Sequence, residues 1–270
     1  MKSFAFCNFL LCLCSVSSYK IVFFVLDICN SQVLFNERVA ETLAAAGHDV
    51  TMVLINPLGE KDENVKIASS VKVYHVKLSI SITKKLMDAE QEEHVFQELA
   101  GKKLIERLLL QTTMFVDTCK ATLEQKQFLR WLENEHFDLA FTHMFDVCTI
   151  GLVHNAKIPS WIWLNRSLLL AFCVMDVYFS GSVMDYVAQL TGIPIIPSYV
   201  PPMMMEMAGE MKFFERVKSM IGHGLMKLLW RRLVADPETA VFRQMIRPDF
   251  PDLLDLAAKC PLVSRILEME

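Results

Sequence analysis

An unbroken apolar stretch runs from Ile21 to Leu26 inside YKIVFFVL (Tyr19–Leu26), and a second strand-like segment, HDVTMVLI (His48–Ile55), ends in the apolar run Met52–Ile55. Such runs, rich in β-branched and aromatic residues and lacking alternation, read as strands buried on both faces. Between them Phe35, Val39, Leu43 and Ala46 recur at spacings of four, four and three, while Asn36, Glu37 and Glu41 fall off that stripe. The spacing predicts an amphipathic helix. Gly47 follows its last turn, where a residue free to take positive φ closes a helix. Strand, helix and strand in about thirty residues make a βαβ unit, which forces parallel pairing through a right-handed crossover.

The alternation continues. VKVYHVKL (Val71–Leu78) reads as a third strand, and residues 83–136 as mostly helical. FDLAFTHM (Phe137–Met144) gives a fourth strand, Gly151–Lys157 a short helix, and IPSWIWL a fifth strand. Pro194, Pro197, Pro201 and Pro202 mark a long loop. Lys212–Val234 is a helical stretch, and Asp236-Pro237 reads as an N-cap with proline at the first position of one more helix. The expected class is α/β, a doubly wound parallel sheet.

In such sheets ligands sit at the carboxyl ends of strands. That singles out Asp27–Gln32 after the first strand and His143–Cys148 after the fourth. A dinucleotide oxidoreductase is the commonest occupant of this layout. The first turn, however, lacks the G-x-G-x-x-G phosphate loop and has no glycine at all.

Composition sets the class of environment. The chain is 53% hydrophobic and 21% charged, which is globular and not disordered. Its net charge of −4 gives no basic excess for nucleic acid. Residues 1–18 read as a secretory signal peptide: Lys2, an apolar core from Phe4 to Cys14, then small residues for cleavage. Cys29, Cys119, Cys148, Cys173 and Cys260 remain after cleavage, scattered, with no CxxC pair and no histidine at metal-ligand spacing. Most are expected to be buried thiols, and no metal site is expected.

Four segments together resemble the N-terminal half of UDP-glucuronosyltransferases of the nematode type. They are NSQVLFNERVAETLAAAGHDVTMV, FDLAFTHMFDVCTIGLVHNAKIPSWIWL, GIPIIPSYVPP and FFERVKSMIGHGL. The resemblance runs from about Tyr19 to Val263. It implies a Rossmann-like N-terminal domain of a GT-B glycosyltransferase fold. That domain (residues 19–270) would hold a small lipophilic hydroxylated acceptor. A C-terminal domain would hold the UDP-sugar, which is a substrate, so no cofactor is implied. Against that pattern the chain is expected to be truncated, without donor domain or membrane anchor. Ser264–Glu270 does not look like the family's next apolar strand. The resemblance also implies the endoplasmic reticulum, lumenal side, or secretion where the anchor is absent.

The family places a Ser-His pair in the first loop, the histidine acting as general base toward the acceptor hydroxyl. A carboxylate after the fourth strand orients it. Here Ser31 is followed by Gln32, and the carboxylate position holds His143. An amide donates and accepts hydrogen bonds but takes no proton. The loop thus reads as a former catalytic site, with Ser31 and Gln32 as acceptor contacts. An alternative makes His143 the base with Asp146 as its partner; the plainer reading is a histidine bonded to a backbone group. His48 fits the family pattern at the far end of the sheet, as a structural residue.

Other features stay open. NRSLLLAFCVMDVYF, residues 165–179, looks like an insertion and creates the glycosylation sequon Asn165-Arg166-Ser167. The methionines of PPMMMEMAGEM, Met203 and Met204 among them, suit an adaptable pocket wall or a loop packed on the core. Lys212–Val234 mixes Phe213, Phe214, Val217, Ile221, Leu228 and Leu229 with many cations. It reads as a core-facing helix with a solvated basic side, or as a helix lying on a membrane. The runner-up function is a non-catalytic lumenal or secreted protein that binds small molecules or pairs with full-length relatives.

Overall fold

The structure is a computed structural model. It describes residues 18–28, 30–58, 67–78, 80, 82, 102–166, 184–202, 211–259 and 262–266. The signal-peptide reading, Met203 and Met204, and the body of the 165–179 insertion lie outside these residues.

The elements follow in order: β1 Lys20–Leu26, α1 Asn30–Ala45, β2 Asp49–Asn56, β3 Lys72–Lys77, α2 Lys102–Glu124, α3 Lys126–Glu135 and β4 Leu139–Thr142. Then come α4 Cys148–Asn155, β5 Ser160–Arg166, α5 Asp185–Thr191, α6 Phe213–Trp230, a π-helical turn Arg231–Ala235, α7 Asp236–Met245, α8 Leu253–Ala257 and β6 Leu262–Ile266. The strands form one sheet in the order β3-β2-β1-β4-β5-β6. Every neighbouring pair is parallel. The doubly wound reading therefore holds.

β1 explains its own sequence. Val22, Phe24 and Leu26 enter the core on one face, with Met114, Phe115, Trp163 and Phe242. Ile21, Phe23 and Val25 enter the core on the other, under α1. Both faces are covered, so no polar residue interrupts the run. β3, at the sheet edge, keeps Lys72, His75 and Lys77 exposed, which blunts an open edge. Past Ala45, the Gly47 N–H donates to Ala44 O (3.0 Å) and the His48 N–H to Leu43 O (3.2 Å), with Gly47 at φ 95°. This is the paired-carbonyl helix ending that a residue without Cβ permits.

Several expectations change. In α1 the deepest side chains are Val33, Asn36 and Ala40; Phe35, Val39 and Leu43 are only half-buried, and Ala46 is exposed. Asn36 tolerates burial because its Nδ2 donates to Gln32 O at 2.8 Å. A sixth strand, β6, includes Ser264–Ile266, where no apolar run announces it; pairing with β5 supplies what the sequence pattern lacks. A helix, α7, does begin at Asp236-Pro237, but Asp236 is not its N-cap. The chain enters it from α6 through the π turn, Asp236 already being helical (φ −66°, ψ −45°). Proline removes an N–H and crowds the preceding turn, and a widened turn accommodates both.

The cysteines are corrected too. Cys119 and Cys148, both buried, form a disulfide across 5.7 Å between Cα atoms. Cys29, Cys173 and Cys260 lie outside the described residues.

Candidate functional site

The sheet order reverses between β1 and β4, whose registers meet at Ile21↔Leu139, Val22↔Ala140 and Phe23↔Phe141. The crevice outside those two carboxyl ends is where a doubly wound sheet receives ligands. Both loops singled out from the sequence lie there. The topology brings them together although they are more than a hundred residues apart.

On the β1 side, the Asp27 N–H donates to Ile55 O (2.8 Å) and its carboxylate accepts from Asn56 Nδ2 (3.0 Å). These bonds knit the turn to the end of β2. Ser31 and Gln32 stand in the first turn of α1, both half-buried.

On the β4 side the loop is rigidly held. The Tyr186 hydroxyl donates to Met144 O at 2.6 Å, its ring stacked on Trp230 at 5.5 Å. Asp146 Oδ1 accepts the Cys148 N–H at 3.0 Å at the start of α4, and Glu238 Oε2 accepts the Val147 N–H at 3.1 Å. The disulfide then ties Cys148 to α2.

His143 sits just past β4 with 7% of its surface exposed. Neither ring nitrogen has a hydrogen-bond partner among the described residues, so the reading of a backbone-bonded histidine does not hold. Its Nε2 lies 3.9 Å from Asp146 Oδ2, beyond hydrogen-bond reach. Burial holds the imidazole pKa below its usual value, the Asp146 charge opposing only in part. Asp146 is raised by burial, against the pull of His143 and of the Cys148 and Thr149 N–H groups. Glu238 is raised well above the ordinary carboxylate range, by burial first and by Asp146 second. Burial, then the two carboxylates, also raises Tyr186. The arrangement is a neutral imidazole beside Asp146, whose carboxyl group resists ionisation, as does that of Glu238, which feels the charge of Asp146. No hydrogen bond among the described residues orients the ring.

Sequence reasoning missed Glu238, Tyr186 and the disulfide. Nothing in DPETAVFRQM distinguishes Glu238 from a solvated helix acid. It also missed that His223 Nδ1 hydrogen-bonds Asp185 Oδ1 while Nε2 reaches Val200 O at 2.9 Å. His48 accepts the Tyr19 N–H at 3.3 Å at the amino end of the sheet, a structural place. A groove of about 710 Å³ lined by His136, Asp138, His154, Lys157 and Arg247 also opens there, away from the crevice. The backbone of Asn165 lies within β5, paired with β6. No group of side chains suited to a metal ion occurs among the described residues.

The family model described as UDP-glucoronosyl and UDP-glucosyl transferase matches residues 21–251. The chain belongs to this family. Among its relatives, the putative UDP-glucuronosyltransferase ugt-60 of Caenorhabditis elegans is 27% identical, covering 93% of this chain and 48% of that protein. The corresponding ugt-47 is 26% identical, covering 91% and 43%. UDP-glucuronosyltransferase 3A2 of Mus musculus is 25% identical, covering 83% and 39%. The chain thus spans less than half the length of these relatives, matching their N-terminal half. A Glycyrrhiza uralensis glycosyltransferase, UGT73P12, solved with glycyrrhetinic acid 3-O-monoglucuronide, aligns with a TM-score of 0.36 at 12% identity, over 86% of this chain and 48% of that one. Phytolacca americana UGT2, solved with UDP-2fluoro-glucose and pterostilbene, gives 0.38 at 12%, over 87% and 53%.

Proposed function

We propose that these residues form the acceptor-binding part of a UDP-sugar-dependent glycosyltransferase, receiving a small lipophilic hydroxylated molecule in the crevice between the β1 and β4 loops. The family match across residues 21–251, on the N-terminal half of the relatives, carries this reading. Ser31 and Gln32 offer a hydroxyl and an amide to an acceptor oxygen, while neither removes its proton near neutral pH. His143 in its present setting lacks the exposure and the oriented partner that a general base needs. Sugar transfer then rests on the donor side or on an acceptor that is already acidic, such as a phenol. The protein folds in the secretory pathway, a reading that the Cys119–Cys148 bridge supports because such bonds persist in oxidising compartments.

Titration of the purified 270-residue polypeptide tests the reading. A lipophilic phenol should bind in the micromolar range, and Gln32→Leu should weaken it about tenfold by removing a hydrogen bond to a polar ligand. UDP-glucuronic acid should bind no tighter than millimolar. Micromolar UDP-sugar binding without phenol binding would overturn the assignment.

A further inference from the structure

Helix α6 is turned opposite to what a core helix requires. Its buried residues are Ser219, His223, Met226 and Trp230, a narrow and partly polar stripe. Apart from Met226 and Trp230, most of the large apolar side chains face away from the core. Phe213 is 72% exposed, Phe214 76%, Met220 61%, Ile221 54%, Leu225 51% and Leu228 54%. At about 3.6 residues per turn these six fall in one sector, roughly opposite the buried stripe. Lys218 borders that sector on one side, and Arg216 and Lys227 border it on the other. Lys218, Lys227 and Arg216 are all exposed. The one acid of the helix, Glu215, is turned back to accept the Lys212 N–H at 2.7 Å. Arg232 adds a further exposed cation at the carboxyl end.

We propose that this face of α6 docks on a membrane surface bearing anionic lipid, the helix lying parallel to it. An apolar sector edged by cations matches the layering of acyl chains beneath negative headgroups. The buried stripe meanwhile keeps the other side of the helix on the domain through the His223–Asp185 pair and Val200 O. The charge pattern argues against a second copy as the occupant. In a two-fold contact the same patch meets itself, so the cations on both borders would oppose one another with Glu215 already engaged. No helix among the described residues is long and apolar enough to cross a membrane, which fits a helix that lies flat. This inference goes beyond the acceptor-binding reading and stands whether or not that reading holds.

Vesicle co-sedimentation of the full chain tests it. Vesicles of phosphatidylcholine with phosphatidylserine should bind the protein at least about tenfold more tightly than phosphatidylcholine alone, and about 0.5 M salt should remove most of that gain. The triple change Phe214→Ser, Ile221→Ser and Leu225→Ser should abolish binding while leaving the thermal melt unchanged, since all three side chains are exposed. A separate Lys218→Glu, Lys227→Glu variant, which keeps every apolar residue, should lose the preference for the anionic vesicles. Failure of the full chain to bind either vesicle overturns the proposal, as does binding that both variants retain. Self-association that the triple change dissolves, without vesicle binding, overturns it in favour of a second copy.

Discussion

Glu238 Oε2 accepts the Val147 N–H at 3.1 Å, joining residues 91 apart in sequence at the start of α4. Asp146 already occupies that helix end, accepting the Cys148 N–H at 3.0 Å. A helix amino terminus favours one nearby negative charge. Here it is offered two, both buried, and Glu238 Oε1 has no hydrogen-bond partner among the described residues. The protein answers by holding Glu238 protonated well above the range of an ordinary carboxylate.

A pH dependence follows from that displacement. A carboxyl group whose folded pKa is raised binds more protons in the folded state. Its contribution to stability is therefore full below the unfolded value and falls as pH rises toward the folded one. Glu238→Gln keeps an acceptor for the Val147 N–H and carries no charge. Its urea midpoint should exceed that of the unaltered protein at about pH 8 and converge with it at about pH 4. A Glu238→Gln variant that is less stable at both pH values would show that the charged form is favoured.

His143 adds the opposite slope. Its folded pKa is lowered, so its contribution is complete above the unfolded value and declines as pH falls through it. His143→Phe should flatten the acid side of the stability profile between about pH 6.5 and pH 5. Equilibrium unfolding of both variants over one pH series separates the two residues.

The bridge between Cys119 and Cys148 closes a loop with a sequence separation of 29. In the chain-entropy account, a closed loop of that length stabilises by about 3 to 4 kcal/mol. Cys119→Ala with Cys148→Ala should lower stability by about that amount. Reductant should destabilise the unaltered protein and leave the double variant unaffected.

Gly151 lets α4 lie directly on α7: a Cβ there would meet the Phe242 ring at 2.3 Å. That ring is fully buried and cannot retreat freely. Gly151→Ala should destabilise by about 1 to 3 kcal/mol despite its better helix propensity. The companion change Phe242→Leu should recover part of the loss, as a double-mutant cycle would read out.

Fusing residues 19–263 to the carboxy-terminal half of a full-length relative tests the altered catalytic positions. Gln32→His should raise transfer to an aliphatic alcohol more than to a phenol, up to the about 10²–10⁴-fold typical of a general base. Adding His143→Asp would restore the family's carboxylate, but it would also set another buried acid beside Asp146. The double variant should therefore gain activity only at a cost in stability that grows with pH.

The sheet was legible because β1 is buried on both faces and carries an unbroken apolar run, and its neighbours β2 and β4 are mostly apolar as well. The crevice was legible too, since the turns after β1 and β4 follow from the strand order. β6 was not legible, because Ser264 and Arg265 break any pattern and pairing with β5 alone defines it. Helical spacing showed that Lys212–Val234 is apolar on a broad face but could not show which way that face points. The structure turns Ser219, His223, Met226 and Trp230 inward instead. Glu238 was invisible for a similar reason: a buried acid and a solvated one look alike until a distant helix end supplies the N–H.

The π-helical turn at Arg231–Ala235 sets the rotational phase of everything after it. Buried side chains recur every fourth residue across it: Trp230, Val234, Glu238 and Phe242. In a pure α-helix each such step overshoots by about 40°, so three steps would carry Phe242 about 120° away from Trp230. The wider turn takes up part of that excess. Removing one residue between Arg231 and Ala235 would thus act at a distance, swinging Glu238 off the Val147 N–H and Phe242 off Gly151 without touching either.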